Sequence, residues 1–130
     1  MTTSCKIEPI MLFSMDIRRL DGGLDIAELS GRLTIGKAVT DVEDRLKELV
    51  DQRPAGLIVD LAALDLIDSA GVGALINIIG MAKQEGVPLR VAGCKDRVRH
   101  VFDLTQVTQL VEMLPDVQAA IASFGQASGV

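Results

Sequence analysis

Apolar and polar positions along the chain follow two rhythms that replace one another several times. Residues 12–20 (LFSMDIRRL) and 24–29 (LDIAEL) alternate, as half-buried strands do, and Asp21-Gly22-Gly23 between them signals a hairpin. The stretch Ser30 to Gly36 breaks the alternation and reads as a loop. Helical spacing takes over from about Lys37 to Gln52, where Ala38, Val42, Leu46 and Leu49 share one face. Asp41, Glu43, Asp44, Arg45, Lys47 and Glu48 make the opposite, solvated face. Pro54 and Gly56 stop this helix. Leu57 to Leu61 then shows little polar alternation, the mark of a strand covered on both sides.

A short apolar connection leads from that strand to Asp68-Ser69-Ala70-Gly71. A second helix follows from about Ala70 to Glu85, with Val72, Leu75, Ile76 and Ile79 at helical spacing and Gly86 at its end. Pro88 to Ala92 is a fourth strand. Val98, Val101 and Phe102 mark a short third helix, Leu110 to Met113 a last strand, and Val117, Ala120, Ile121 and Phe124 the face of a last helix. Two hairpin strands followed by strand–helix alternation predict an α/β fold with a mixed sheet of four to five strands and about four helices. Residues 1–130 form one domain, with a core over about 15–124 and a small polar tail, Gly125 to Val130, expected to fray. Functional groups of open α/β sheets collect beyond the carboxyl ends of the parallel strands. Residues 60–71 and Gly93-Cys94-Lys95 both fall there, so the two loops are expected to be neighbours.

Composition narrows the chemistry. With no Trp or Tyr and only three Phe, the core must be aliphatic, and little is left for stacking on bases or sugars. A net charge of −5 argues against nucleic acid and anionic membrane surfaces as partners. Cys5 and Cys94, without His at ligand spacing, make neither a zinc site nor a convincing disulfide, and are expected to be free thiols in a reducing cytoplasm. Ile10 to Phe13 is too short for a signal core and no run approaches a membrane span, so the expectation is a soluble cytoplasmic protein.

The strand–DSAG–helix junction carries the candidate chemistry. It sets a hydroxyl beside a carboxylate at a helix end, where four backbone N–H groups lack partners and the dipole favours negative charge. Ser69 in that position is a natural helix N-cap, worth about 1 kcal/mol over Ala. It is equally a hydroxyl whose phosphate ester the helix end would tolerate. Asp68 has three readings: a cap, a group that fixes the serine rotamer, or an activator of the hydroxyl. An enzyme with Ser69 as nucleophile is a rival reading, but Leu66 and Ala70 break the G-x-S-x-G pattern and His100 is the only histidine. Gly71-Val72-Gly73 lacks the lysine of a P-loop and the third glycine of a dinucleotide fingerprint, and no cofactor is expected. Lys95 to His100 is the one basic patch, either a solvated helix face, a rim for an acidic partner or a counter-charge for a phosphorylated serine.

The string Ile67-Asp68-Ser69-Ala70-Gly71-Val72-Gly73 resembles the anti-sigma factor antagonists, the bacterial branch of the STAS domains. Leu29-Ser30-Gly31-Arg32-Leu33 is similar to that family's strand-to-loop signature, Ile58-Val59-Asp60-Leu61 to its central strand, and Val98 to Asp103 to its third helix. The resemblance covers roughly residues 15–124. It implies a single STAS-like domain that binds, unmodified, a serine kinase acting as anti-sigma factor. Phosphorylation of the motif serine would end that binding and a PP2C-type phosphatase would restore it. Carried over, Ser69 is the phosphoacceptor and Asp68 its neighbouring carboxylate. Asp68, Ala70, Gly71, Gly73, Gly31, Thr34 and Lys95 join it in the partner surface, Gly71 and Gly73 by allowing close backbone approach. Ala70 stands where relatives often have a second hydroxyl, and Thr34 where several carry an acid. A STAS scaffold in a sensory or transporter-associated complex, with DSAG only a cap, is the alternative.

Overall fold

The computed structural model describes residues 12–128. The hairpin forms where its turn signal lies: β1 (Ser14–Arg19) and β2 (Leu24–Leu33) pair antiparallel, with Gly22 and Gly23 at φ +89° and +90°. Those values fall in the left-handed region that glycine enters at little cost. Helix α1 (Lys37–Asp51) buries Val42, Leu46, Leu49 and Val50, the face its periodicity marks. β3 (Gly56–Ile67), α2 (Ser69–Glu85), β4 (Leu89–Ala92), α3 (Asp96–Leu104), a 3-10 turn (Val107–Gln109), β5 (Glu112–Leu114) and α4 (Val117–Ser128) complete the chain. Strand order is β1-β2-β3-β4-β5, parallel from β2 onward. The predicted α/β fold, a mixed sheet with four helices, is the one found.

Two strands outrun their sequence-based limits. β2 continues four residues past Leu29, and β3 runs to Ile67 rather than ending at Leu61. Their pairing slips twice, between Glu28 and Ser30 and between Gly31 and Arg32. At the first slip Asp60 Oδ1 accepts from the Ala62 N–H at 3.0 Å, leaving Ala62 and Ala63 facing outward. Such irregularities erase the period-2 signal, which is why the apolar stretch 62–67 reads as a connection. The extension has a functional consequence. It lifts Leu33 and Ile67 together past the end of β4, so that the β2–α1 and β3–α2 junctions sit side by side. Smaller differences lie at β5, which starts two residues late, and at α4, whose backbone continues through 125–128.

The core is aliphatic, as composition requires, with Phe102 the bulkiest fully buried side chain. α1, α2 and α3 cover one sheet face, while α4 packs alone on the other against Ile26, Ile58 and Ala92. There Phe124 packs against Gly56, where any Cβ would collide with its ring, and the Arg90 guanidinium sits 4.1 Å from the ring centroid. The Asp25 carboxylate is fully buried. Arg19 grips both its oxygens at 2.7 and 3.1 Å, and Arg19 in turn reaches Gln52 Oε1 at 3.0 Å, so the pair bolts the hairpin to the end of α1. A buried carboxylate requires such a partner, because without it desolvation is uncompensated. No helix among the described residues is long and apolar enough to cross a membrane.

Candidate functional site

The first turn of α2 and the loop after β2 meet at one carboxylate. Asp68, not Ser69, is the N-cap of α2: its backbone is extended (φ −108°, ψ −175°) and its Oδ1 accepts from the Gly71 N–H at 2.9 Å. The expectation of a serine cap is corrected here, for a reason of inventory. A carboxylate has two oxygens able to serve two donors at once, and the second, Oδ2, accepts from the Ile35 N–H at 2.9 Å. Its own N–H bonds Leu33 O at 3.2 Å. Asp68 therefore caps a helix and pins a loop simultaneously, and both bonds are to an ionised acceptor, the stronger kind. Ser69 is left as the first helical residue, exposed and not used by the cap.

Electrostatics at Asp68 follow from those bonds. Partial burial works against its charge, but N–H donation from Ile35, then Gly71 and Ala70, outweighs it and holds the carboxyl below its ordinary range. A folded pKa below the unfolded one means stability present above about pH 4 and lost as pH falls through the depressed folded value. The unfolding free-energy difference between the wild-type protein and Asp68→Ala, from urea titrations, should therefore be constant near neutrality and shrink steadily below about pH 4. A pH-independent difference would mean the carboxylate charge contributes nothing to the junction.

The glycines divide into two kinds. Gly71 is buried, and a Cβ there would stand 2.5 Å from Leu33 O and 2.7 Å from Ile67 Cγ1. Gly31 is buried at φ +88°, with the Leu12 and Phe13 backbone crossing directly above it. Both serve close approach inside the fold rather than toward a partner. Gly73 differs: it is partly exposed, and a Cβ at that position would meet nothing within 4 Å. One turn from Ser69, it lies on the same helix face, and Gly80, two turns further along, has equally open surroundings. A helical glycine costs about 1 kcal/mol relative to Ala, and packing within the domain gives no return for it here.

Thr34 is half-exposed and adjoins a residue the sequence reading passed over. Ile35 is 79% exposed, and with Leu12, 64% exposed, it lines an open groove of about 600 Å³ bounded by Phe13, Thr34, Arg32 and Lys37. A signal was available. Ile35 occupies the position before the α1 cap, Gly36, where an apolar residue normally packs against the fourth helical residue, and that residue is Thr40, exposed and polar. Ser69, Asp68, Ala70, Gly73, Thr34 and Ile35 thus share one end of the sheet, with Gly71 and Gly31 beneath them.

Lys95 is exposed and lines a separate groove with Leu64, Asp65 and Arg97. The two loops flagged as neighbours do touch: Gly93, at φ +74°, is pressed against Ala62. Arg99 pairs with Asp103 at 3.2 Å across one helical turn, and His100 is exposed, in keeping with a solvated face. Burial pushes the Cys94 thiol up to about 11, so it is protonated and unreactive at neutral pH. Cys5 lies outside the described residues. Among those residues no three potential ligands gather around a metal position.

The DSAG turn and the loop after β2 thus form one end of the sheet with Ser69 exposed on it, and sequence comparison gives the chain a family. Residues 19–120 match the STAS domain, and the chain belongs to that family. The Bordetella bronchiseptica protein BtrV, named as an anti-sigma factor antagonist, is 30% identical over 114 residues, 88% of this chain and 95% of that protein. The anti-sigma-B factor antagonist of Bacillus subtilis is 21% identical, over 79% of this chain and 92% of its own. The crystal structure of an anti-sigma factor antagonist from Mycobacterium paratuberculosis superposes with a TM-score of 0.76 at 19% identity, covering 87% of this chain and 94% of that one.

Proposed function

We propose that this protein is an anti-sigma factor antagonist whose binding to its target is controlled by phosphorylation of Ser69. It acts as a cytoplasmic protein-binding switch and not as an enzyme. The observation that carries this reading is the division of labour at the α2 terminus: Asp68 does the capping, and the neighbouring hydroxyl stands exposed with no structural duty. The names of the relatives support the anti-sigma target. Unmodified, the face made by Ser69, Gly73, Thr34 and Ile35 docks on an anti-sigma factor that is also a serine kinase, releasing the sigma factor.

The switch itself is a phosphoryl transfer. Ser69 Oγ takes the γ-phosphoryl group of ATP, its proton leaves to a base, and ADP departs. Base and magnesium belong to the kinase, consistent with Asp68 spending both its oxygens on backbone N–H groups. A PP2C-type phosphatase returns the hydroxyl by hydrolysis. The ester adds about −1.5 to −2 charges beside Asp68, which the helix end accepts and a surface fitted to a neutral hydroxyl does not. Incubation with an anti-sigma factor serine kinase from the same organism, ATP and magnesium should add one phosphoryl group within residues 57–83, by mass spectrometry, and none to Ser69→Ala. Modification elsewhere, or none, would refute the switch.

A further inference from the structure

Strand β1 is the last strand on one side of the sheet, and its outer edge has no strand partner among the described residues. The Leu20 N–H bonds Leu24 O at 2.8 Å across the hairpin, and hydrogen-bonded pairs recur at every second residue of an antiparallel ladder. In the observed register Arg18, Asp16 and Ser14 therefore spend their backbone groups on β2, while those of Met15, Ile17 and Arg19 point away from the sheet. Arg45 bears out that parity, because its guanidinium reaches over the edge to Met15 O at 2.9 Å. Side chains alternate in step. Met15 and Ile17 pack on the helix-side core, whereas Asp16 and Arg18 stand exposed on the opposite face.

We infer that β1 pairs antiparallel with β1 of a second copy of this chain, centred on Ile17, with each Asp16 set against Arg18 of the other copy. Charges on a sheet edge deter pairing with strangers, and here they also select the register. In a two-fold antiparallel pair one residue faces its own counterpart, since otherwise the two sheet faces would be mismatched. Centring on Asp16 or on Arg18 sets like charges directly opposite one another, which is destabilising. Centring on Met15 puts its carbonyl, already taken by Arg45, at both middle hydrogen bonds, and sets Arg18 beyond the start of the facing strand. Centring on Ile17 avoids both faults. Its outward N–H and C=O exchange two hydrogen bonds with their counterparts, and Asp16 meets Arg18 twice, at positions where side chains come closest. The Arg18 guanidinium, 3.0 Å from Glu28 of its own chain, then lies between two carboxylates. Because the copies run antiparallel, their Ser69-bearing ends point in opposite directions and both stay free. One strand edge buries far less than a standard interface, so the pair is weak and concentration-dependent.

Sedimentation velocity of the 130-residue chain across about 10 μM to 1 mM tests the pairing without involving Ser69. Wild type should shift from monomer toward dimer. Asp16→Arg and Arg18→Asp each set like charges opposite one another, and each should weaken association by about tenfold. An equimolar mixture of the two should associate at least as tightly as wild type, because one variant presents two arginines and the other two aspartates. Arg18→Asp gives up the Glu28 pair, so a second measurement stands apart from it: in wild type the Ile17 amide should exchange more slowly as concentration rises. A wild type that stays monomeric throughout overturns the inference. So does association that neither substitution changes, which would place the contact elsewhere. An Ile17 amide protected equally at every concentration would mean that another part of the same chain lies along the edge, and overturns it too.

Discussion

Ser69→Asp should weaken binding to the anti-sigma partner by about 30- to 150-fold, equivalent to about 2–3 kcal/mol, whereas Ser69→Ala should bind within a few-fold of wild type. Isothermal titration calorimetry of the three proteins against one partner preparation decides it. The asymmetry follows from where the charge falls. On the free domain an added carboxylate at the first helical residue meets the positive end of the α2 dipole and is tolerated. Thermal midpoints of both variants should therefore stay close to wild type. In the complex the same charge is taken out of water against a surface that had met a hydroxyl, beside the charge Asp68 already carries. Phosphoserine, with up to twice that charge, should exceed the Asp effect. Equal affinities for the Ala and Asp variants would remove Ser69 from control of binding.

Gly71→Ala should destabilise the protein by about 2–3 kcal/mol, and Gly73→Ala, two residues away, should be neutral or stabilising by up to about 1 kcal/mol. The difference is geometric. A methyl at 71 meets the Leu33 carbonyl oxygen at 2.5 Å and Ile67 Cγ1 at 2.7 Å, whereas one at 73 meets nothing within 4 Å. Leu33 O belongs to a paired strand and also receives the Asp68 N–H, so it cannot step aside as a flexible side chain would. Relief requires moving the first turn of α2 away from β2, which strains the Asp68 cap and its hold on Ile35 together. Urea denaturation midpoints for both variants give the comparison. A wild-type midpoint for Gly71→Ala would show that the two junctions are less tightly apposed than their geometry implies.

Much of this was legible in the order of residues. The hairpin declared itself through Asp21-Gly22-Gly23, and α1 through a face whose burial matches its periodicity. The strand–DSAG–helix junction marked the end of the sheet where the proposed switch lies. What escaped did so for identifiable reasons. Residues 62–67 pass a slipped pairing with β2, where the alternation that identifies strands is lost, so the length of β3 was not readable. Asp68 and Ser69 are adjacent and both good caps. Local preference does not choose between them, and the choice turned on a second donor, the Ile35 N–H, 33 residues earlier in the chain. Asp25 gave no signal of its own either. A charged residue in an alternating strand reads as solvent-facing until its arginine partner is seen.

The chain's own pattern therefore determined the elements, their order, the aliphatic character of the core and the placing of Ser69 at the start of a helix. These are properties of short segments, where periodicity, caps and turn residues act within a few positions. Tertiary structure alone decided which residue caps α2, which glycines face inward, and that Ile35 stands beside Ser69. Each of those depends on contacts between segments distant in sequence, brought together only when β2 and β3 pair past the end of β4.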